Sequence, residues 1–131
     1  MAQGQLPQLA PLLTMTMIAS EAITLYAAVK GTSGTEGYCS LATDNSMALG
    51  VALNAADAGG EVVVCMEGIV YACVEGAVAI YAIVHPADAS GNVDDDIGAA
   101  EYALGIALTA GTSAGDHIAV LLTPGSLYAA S

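Results

Sequence analysis

Large and small residues alternate along a stretch of the chain that occurs twice. Residues 48–65 read ALGVALNAADAGGEVVVC, and residues 103–120 read ALGIALTAGTSAGDHIAV. In an extended chain, the large side chains of the first stretch point to one face and the small ones to the other. These two sets are Leu49, Val51 and Leu53 against Ala48, Gly50 and Ala52. The period of two predicts a strand, with one face where another backbone approaches closely.

A shift of 55 positions brings two separate pairs of segments into register. It places residue 48 on residue 103, and it also places AITLYAAV (22–29) on AVAIYAIV (77–84). We therefore predict an internal duplication with β units at residues 22–75 and 76–126 that share one core. Residues 1–21 would then form an N-terminal arm and residues 127–131 a C-terminal tail.

Each predicted unit has the same order of segments. An alternating apolar segment is followed by a Gly-rich or Asp-rich loop, then by the repeated phrase, a turn and a second alternating segment. The alternative of a helix is disfavoured by the glycines and by the β-branched residues on both sides. We predict a mainly β fold: a small antiparallel β-barrel or sandwich built from two duplicated strand–loop–hairpin units, with an extended N-terminal arm.

The charge of the chain is strongly one-sided. Thirteen acidic residues face a single base, Lys30, which gives a formal net charge of −12. Binding to nucleic acid or to an anionic membrane needs basic residues, so we expect neither partner. The apolar residues are largely alanine, with no Phe or Trp, which predicts a thin core and favours oligomerisation.

Three cysteines are present, and they form no CxxC pair. The expected role of Cys39, Cys65 and Cys73 is that of small buried apolar residues. The apolar segment 9–20 contains Pro11 and is too short to span a bilayer, and no positive residue precedes it as in a signal peptide. We expect a protein made and assembled in a cytoplasm.

Few residues of the sequence are candidates for catalysis or metal binding. His85 and His117 are the two imidazoles; we expect His85 in a loop at a strand end and His117 at a surface or an interface, because no nucleophile motif accompanies either. The run 88–96, DASGNVDDD, offers Asp88, Asp94 and Asp96 as weak metal candidates. It lacks the Gly and the Glu of an EF-hand loop, so a solvated acidic loop is favoured. We predict no enzyme activity, no cofactor and no metal.

The second repeat resembles the small capsid cement or head decoration proteins of tailed bacteriophages. The likeness lies in ALGIALTAGTSAGDHIAVLLTPG after GNVDDDIGAAEY, and the first copy, ALGVALNAADAGGEVVVCMEG, is similar. The resemblance implies a structural virion protein on the outer capsid surface, assembled in the host cytoplasm. It also implies a homotrimer that clamps neighbouring major capsid protein subunits. One alternative from another class is a calcium-dependent carbohydrate-binding or adhesion module, but the sequence contains no Trp on which a sugar ring could stack. Another alternative is a small cysteine hydrolase, but the spacing of the cysteines and histidines matches no catalytic motif.

The N-terminal arm is the expected partner-binding segment. It is apolar although it lies outside the predicted duplication, and its prolines disfavour a continuous helix. We predict that it extends onto a neighbouring subunit or onto the major capsid protein. An alternative is that it packs on its own β units. The residues expected to make these contacts are Leu6, Leu9, Leu12, Leu13, Met15, Met17 and Ile18.

Overall fold

The structure is a computed structural model that describes residues 9–44, 46–96 and 101–128. Within these ranges the chain forms strands and no helix, which confirms the mainly β prediction. It follows that no helix of the described chain is long and apolar enough to cross a membrane. The nine strands are β1 (Ala10–Ala19), β2 (Ala28–Gly31), β3 (Tyr38–Leu41), β4 (Gly50–Ala52), β5 (Glu61–Cys73), β6 (Ile83–Pro86), β7 (Val93–Asp94), β8 (Glu101–Ala107) and β9 (His117–Tyr128).

The strands form one sheet that curls back on itself. Their order is β1-β3-β2-β4-β5-β9-β8-β6-β7, and a further pairing of β1 with β5 closes the first five strands into a ring. Neighbouring strands are antiparallel except β1 and β3, which run parallel. This partly closed sheet agrees with the predicted small β-barrel or sandwich.

Strand pairing repeats at the offset of 55 residues. Ala28 pairs with Val51 in the first half, and Ile83 pairs with Ile106 in the second. The backbone is also alike in detail, because Tyr26 and Tyr81 both have positive φ angles, 67° and 66°. Such angles are uncommon for residues other than glycine, and here they recur at two positions that are 55 residues apart.

Strand β5 takes part in both halves of this arrangement. Its first half pairs with β1, where Ile18 lies opposite Glu61, and its second half pairs with β9, where Cys73 lies opposite His117. Residues 14–18 therefore have a structural counterpart in residues 69–73 at the same offset. The segment that we placed in an arm is a strand of the molecule's own sheet. The exact boundaries of the two units stay a prediction.

The interior is built from small side chains. Its largest fully buried residues are Ile23, Leu104 and Ile118, and most of the others are valines and alanines. Small side chains allow neighbouring backbones to approach closely, as the sequence predicts at Gly50 and Gly105. A Cβ atom at Gly50 would lie 1.9 Å from the backbone oxygen of Cys65, and one at Gly105 would lie 2.1 Å from that of Leu121.

Candidate functional site

The first half of β1 lies at an edge of the sheet. Residues 10–18 pair with β5 along one side of the strand, whereas β3 pairs with the other side only at Ile18 and Ala19. In the part of the chain that the structure describes, residues 10–17 therefore have one edge without a strand partner. The backbone N–H and C=O groups along such an edge can pair with another chain.

The side chains of this half-strand are exposed on both faces. All six residues from 11 to 16 are exposed, and Leu12 is 78% accessible. Alternation would bury every second residue of a strand that is covered on one face. Register shifts flank Leu13, and bulges of this kind turn side chains away from their regular direction. The result is an exposed apolar edge, hereafter the β1 edge, formed by Leu9, Leu12, Leu13 and Met15.

The remaining predicted arm residues lie elsewhere. Met17 is 4% exposed and packs in a buried cluster with Val62 and Val64 of β5, so its side chain contributes to the protein's own core. Ile18 is half-buried. Leu6 lies outside the described residues.

The acidic loop between β6 and β8 uses its carboxylates to hold its own backbone. Asp88 accepts a hydrogen bond from the Ser90 amide at 2.8 Å, and Asp94 accepts one from the Asp95 amide at 2.8 Å. Asp96 bonds instead to a histidine ring. Burial raises the pKa of Asp94, and the neighbouring charges of Asp96 and Asp95 raise it further. The three weak metal candidates thus have separate partners.

His85 is buried, in contrast to the expected loop position. It lies in β6 and is 3% exposed. Its Nε2 atom lies 2.7 Å from Asp96 Oδ1, and its Nδ1 atom lies 4.0 Å from carboxylate oxygens of both Asp44 and Glu101. The sequence did not single out Asp44 or Glu101, because they belong to distant segments that only the fold brings together.

The remaining candidate residues are His117 and the three cysteines. His117 is exposed, and its ring lies 5.0 Å from that of Tyr26 and 6.4 Å from that of Tyr71, centroid to centroid. The three cysteines are free thiols: Cys39 and Cys65 are buried as predicted, and Cys73 is half-buried. Burial raises the pKa of all three thiols, which lowers the fraction of reactive thiolate.

Comparison with known proteins gives a match of fold. No protein-family model matches the sequence, and no curated protein sequence matches it. Among solved structures, the chain is similar to the head fiber gp8.5 N base of bacteriophage phi29, with a TM-score of 0.70 and 14% sequence identity. The similarity covers 85% of this chain and 93% of the phage chain. The protein thus shares its fold with the base of a phage head fiber.

Proposed function

We propose that this protein is a structural virion component that binds the outer surface of a phage capsid. In this role it stabilises the capsid by clamping neighbouring subunits of the major capsid protein. The observation that carries the proposal is the similarity of nearly the whole fold to a phage head fiber base. The resemblance of both repeats to head decoration proteins agrees with it.

The β1 edge is the proposed contact surface. An extended strand with a free edge can add to a strand of a partner, where backbone hydrogen bonds supply affinity and side chains supply specificity. Leu12 and Leu13, at 78% and 49% exposure, would gain burial only in the assembly. The proposed contact is with a neighbouring copy of the protein or with the major capsid protein, and Met17 takes no part in it.

The oligomer that we propose on the capsid is a homotrimer. The core of a single chain contains few large side chains, and a domain of this size is only marginally stabilised by its own burial. Contacts between copies along the β1 edge would supply further apolar burial. They would also remove an exposed strand edge, which is a risk for aggregation.

Electrostatics adds a requirement for the receiving surface. A chain with a net charge of −12 is attracted to a basic surface and repels copies of itself. Salt screens such interactions over about 8 Å at physiological ionic strength. Binding to heads should therefore weaken as salt rises, while the isolated protein should gain thermal stability.

Co-sedimentation with phage heads that lack the protein tests the contact surface. The double variant Leu12→Thr/Leu13→Thr keeps strand-forming residues but removes two exposed apolar side chains, and should bind at least about tenfold more weakly, which corresponds to about 1.4 kcal/mol. The matched control is Leu25→Thr/Ile80→Thr, because these two side chains are exposed to 42% and 49% but do not belong to β1. Equal binding by the two double variants would contradict the assignment of the β1 edge.

A further inference from the structure

We propose that Asp44, His85 and Glu101 form a binding site for one divalent transition-metal ion. One ligand atom from each of these residues lies within 4.8 Å of the others. Asp44 lies in the loop after β3, whereas His85 is in β6 and Glu101 begins β8. The ion would therefore connect the first half of the molecule to the second.

The buried histidine is the feature that points to a ligand. Its side chain is 4% exposed, and its Nδ1 atom has no hydrogen-bond partner. Leaving a buried polar atom without a partner is unfavourable by about 1–3 kcal/mol, so native structures rarely retain one without a reason. This nitrogen faces two carboxylates at 4.0 Å, a separation too long for a hydrogen bond and suited to an intervening ion.

The other ring nitrogen has the partner expected of a metal-binding histidine. Nε2 lies 2.7 Å from Asp96 Oδ1 and donates its proton to that carboxylate when Nδ1 binds an ion. Histidines that bind metals commonly donate their second ring N–H to a carboxylate, which fixes the ring and the tautomer. Asp96 is thus a positioning residue and not a ligand.

The donor set favours zinc over calcium or magnesium. One imidazole nitrogen and two carboxylate oxygens suit the transition ions, whereas calcium and magnesium prefer oxygen alone. A tetrahedral zinc ion with ligand bonds of about 2.0–2.1 Å needs donor atoms about 3.3 Å apart. Rotations of the two carboxylates would bring the three donor atoms, which now lie within 4.8 Å of one another, to this spacing. The Asp44 side chain is 55% exposed, which leaves a route for the ion and a position for water.

Charge supports the same assignment. Three carboxylates, those of Asp44, Asp96 and Glu101, surround this one ring in a chain that carries a single Lys or Arg. A divalent cation would offset their mutual repulsion. This site differs from the metal candidates that the sequence suggested, Asp88, Asp94 and Asp96. Among those three residues, only Asp96 is near the site, and it is a hydrogen-bond partner of His85 and not a ligand.

Zinc binding by the full chain tests the proposal. The protein is treated with chelator, dialysed, and titrated with Zn²⁺ by calorimetry at physiological salt, and we expect one ion per chain. Asp44→Asn and Glu101→Gln should each lower the affinity at least tenfold. Asp57→Asn, which removes an exposed carboxylate elsewhere, and His117→Gln, which removes the other imidazole, should retain the wild-type affinity. Circular dichroism verifies that each variant is folded.

Spectroscopy identifies the ligands directly. In ¹⁵N NMR, Zn²⁺ should shift the Nδ1 resonance of His85 while Nε2 keeps its proton. Binding that is equal in Asp44→Asn, Glu101→Gln and wild type would overturn the proposal, as would the lack of stoichiometric binding. A thiolate charge-transfer band on addition of Co²⁺ would also overturn it, because that band would place the ion on a cysteine.

Discussion

Replacing Gly105 by alanine should destabilise the protein by about 2–5 kcal/mol. The added Cβ would lie 2.1 Å from the backbone oxygen of Leu121 and 2.9 Å from a methyl carbon of Val120, far inside van der Waals contact. Strand β8 cannot simply move away, because Gly105 pairs with Val84 on its other side. Relieving the overlap requires a backbone shift of about 1 Å or more between β8 and β9.

The magnitude follows from two contributions. Overpacking in a dense interior costs about 1–3 kcal/mol. A shift of β8 also weakens one or two ladder hydrogen bonds near Gly105 and Leu122, each with a net value of about 1 kcal/mol. The total is a large fraction of the roughly 5–15 kcal/mol that stabilises a typical domain.

Urea unfolding followed by circular dichroism measures this effect. Gly76→Ala is the matched control, because its Cβ would meet nothing within 4 Å, and it should change the stability by less than about 1 kcal/mol. Gly50→Ala, at the equivalent position of the first half, should resemble Gly105→Ala. A loss below about 1 kcal/mol for Gly105→Ala would refute the close approach of β8 and β9.

Three further predictions concern single side chains. Tyr81→Gly should stabilise the protein or leave its stability unchanged, because Tyr81 is 70% exposed and its positive φ is unfavourable by about 1–2 kcal/mol. Tyr26→Gly, measured by the same urea unfolding, should destabilise the protein because the Tyr26 ring contacts Tyr71 and His117. The buried thiols of Cys39 and Cys65 should react slowly with a disulfide reagent in native protein and quickly in urea, and rapid native labelling of either would contradict its burial. Hydrogen bonds from the Thr112 and Ser113 amides and the Thr112 hydroxyl lower the pKa of Asp116, so this carboxylate stabilises the fold above the unfolded pKa and stops doing so as pH falls through the folded pKa. The stability difference between wild type and Asp116→Asn should therefore shrink on acidification, and a constant difference would refute the cause.

The sequence predicted the strands of the repeated phrase because their signal is local. Alternation at residues 48–53 and 103–108 reports directly on a pleated chain, and glycine at one small-residue position reports on a close backbone. Gly50 lies in β4 and Gly105 in β8, and a Cβ atom at either position would overlap a neighbouring backbone. The same offset also predicted equivalent pairings in the two halves.

The place of β1 could not be predicted in this way. Residues 14–19 are equivalent to residues 69–74 in strand pairing, yet TMTMIA and IVYACV share no identical position. Strand pairing depends on backbone hydrogen bonds, which any residue except proline can donate, so the structural repeat persists where the sequence repeat has vanished. The sequence repeat therefore does not extend to this segment, although the repeat of strand pairing does.

The cluster around His85 was missed for a different reason. Its members come from three separate segments, and no short motif links Asp44, His85 and Glu101. The Pro that follows His85 suggested a loop, but Pro86 ends β6 opposite Val93 in a two-residue pairing. Edge and terminal positions of a strand tolerate proline, so a proline directly after His85 is compatible with the burial of that histidine.

Electron cryomicroscopy of phage heads with and without the protein tests the proposed function most directly. Heads that carry the protein should show additional density on the outer surface, arranged with threefold symmetry, into which the fold of the described residues fits with the β1 edge at a subunit contact. Heads prepared without it should lack this density and should lose their contents at a lower temperature. Identical maps from the two preparations, or density confined to the interior, would contradict the proposed role.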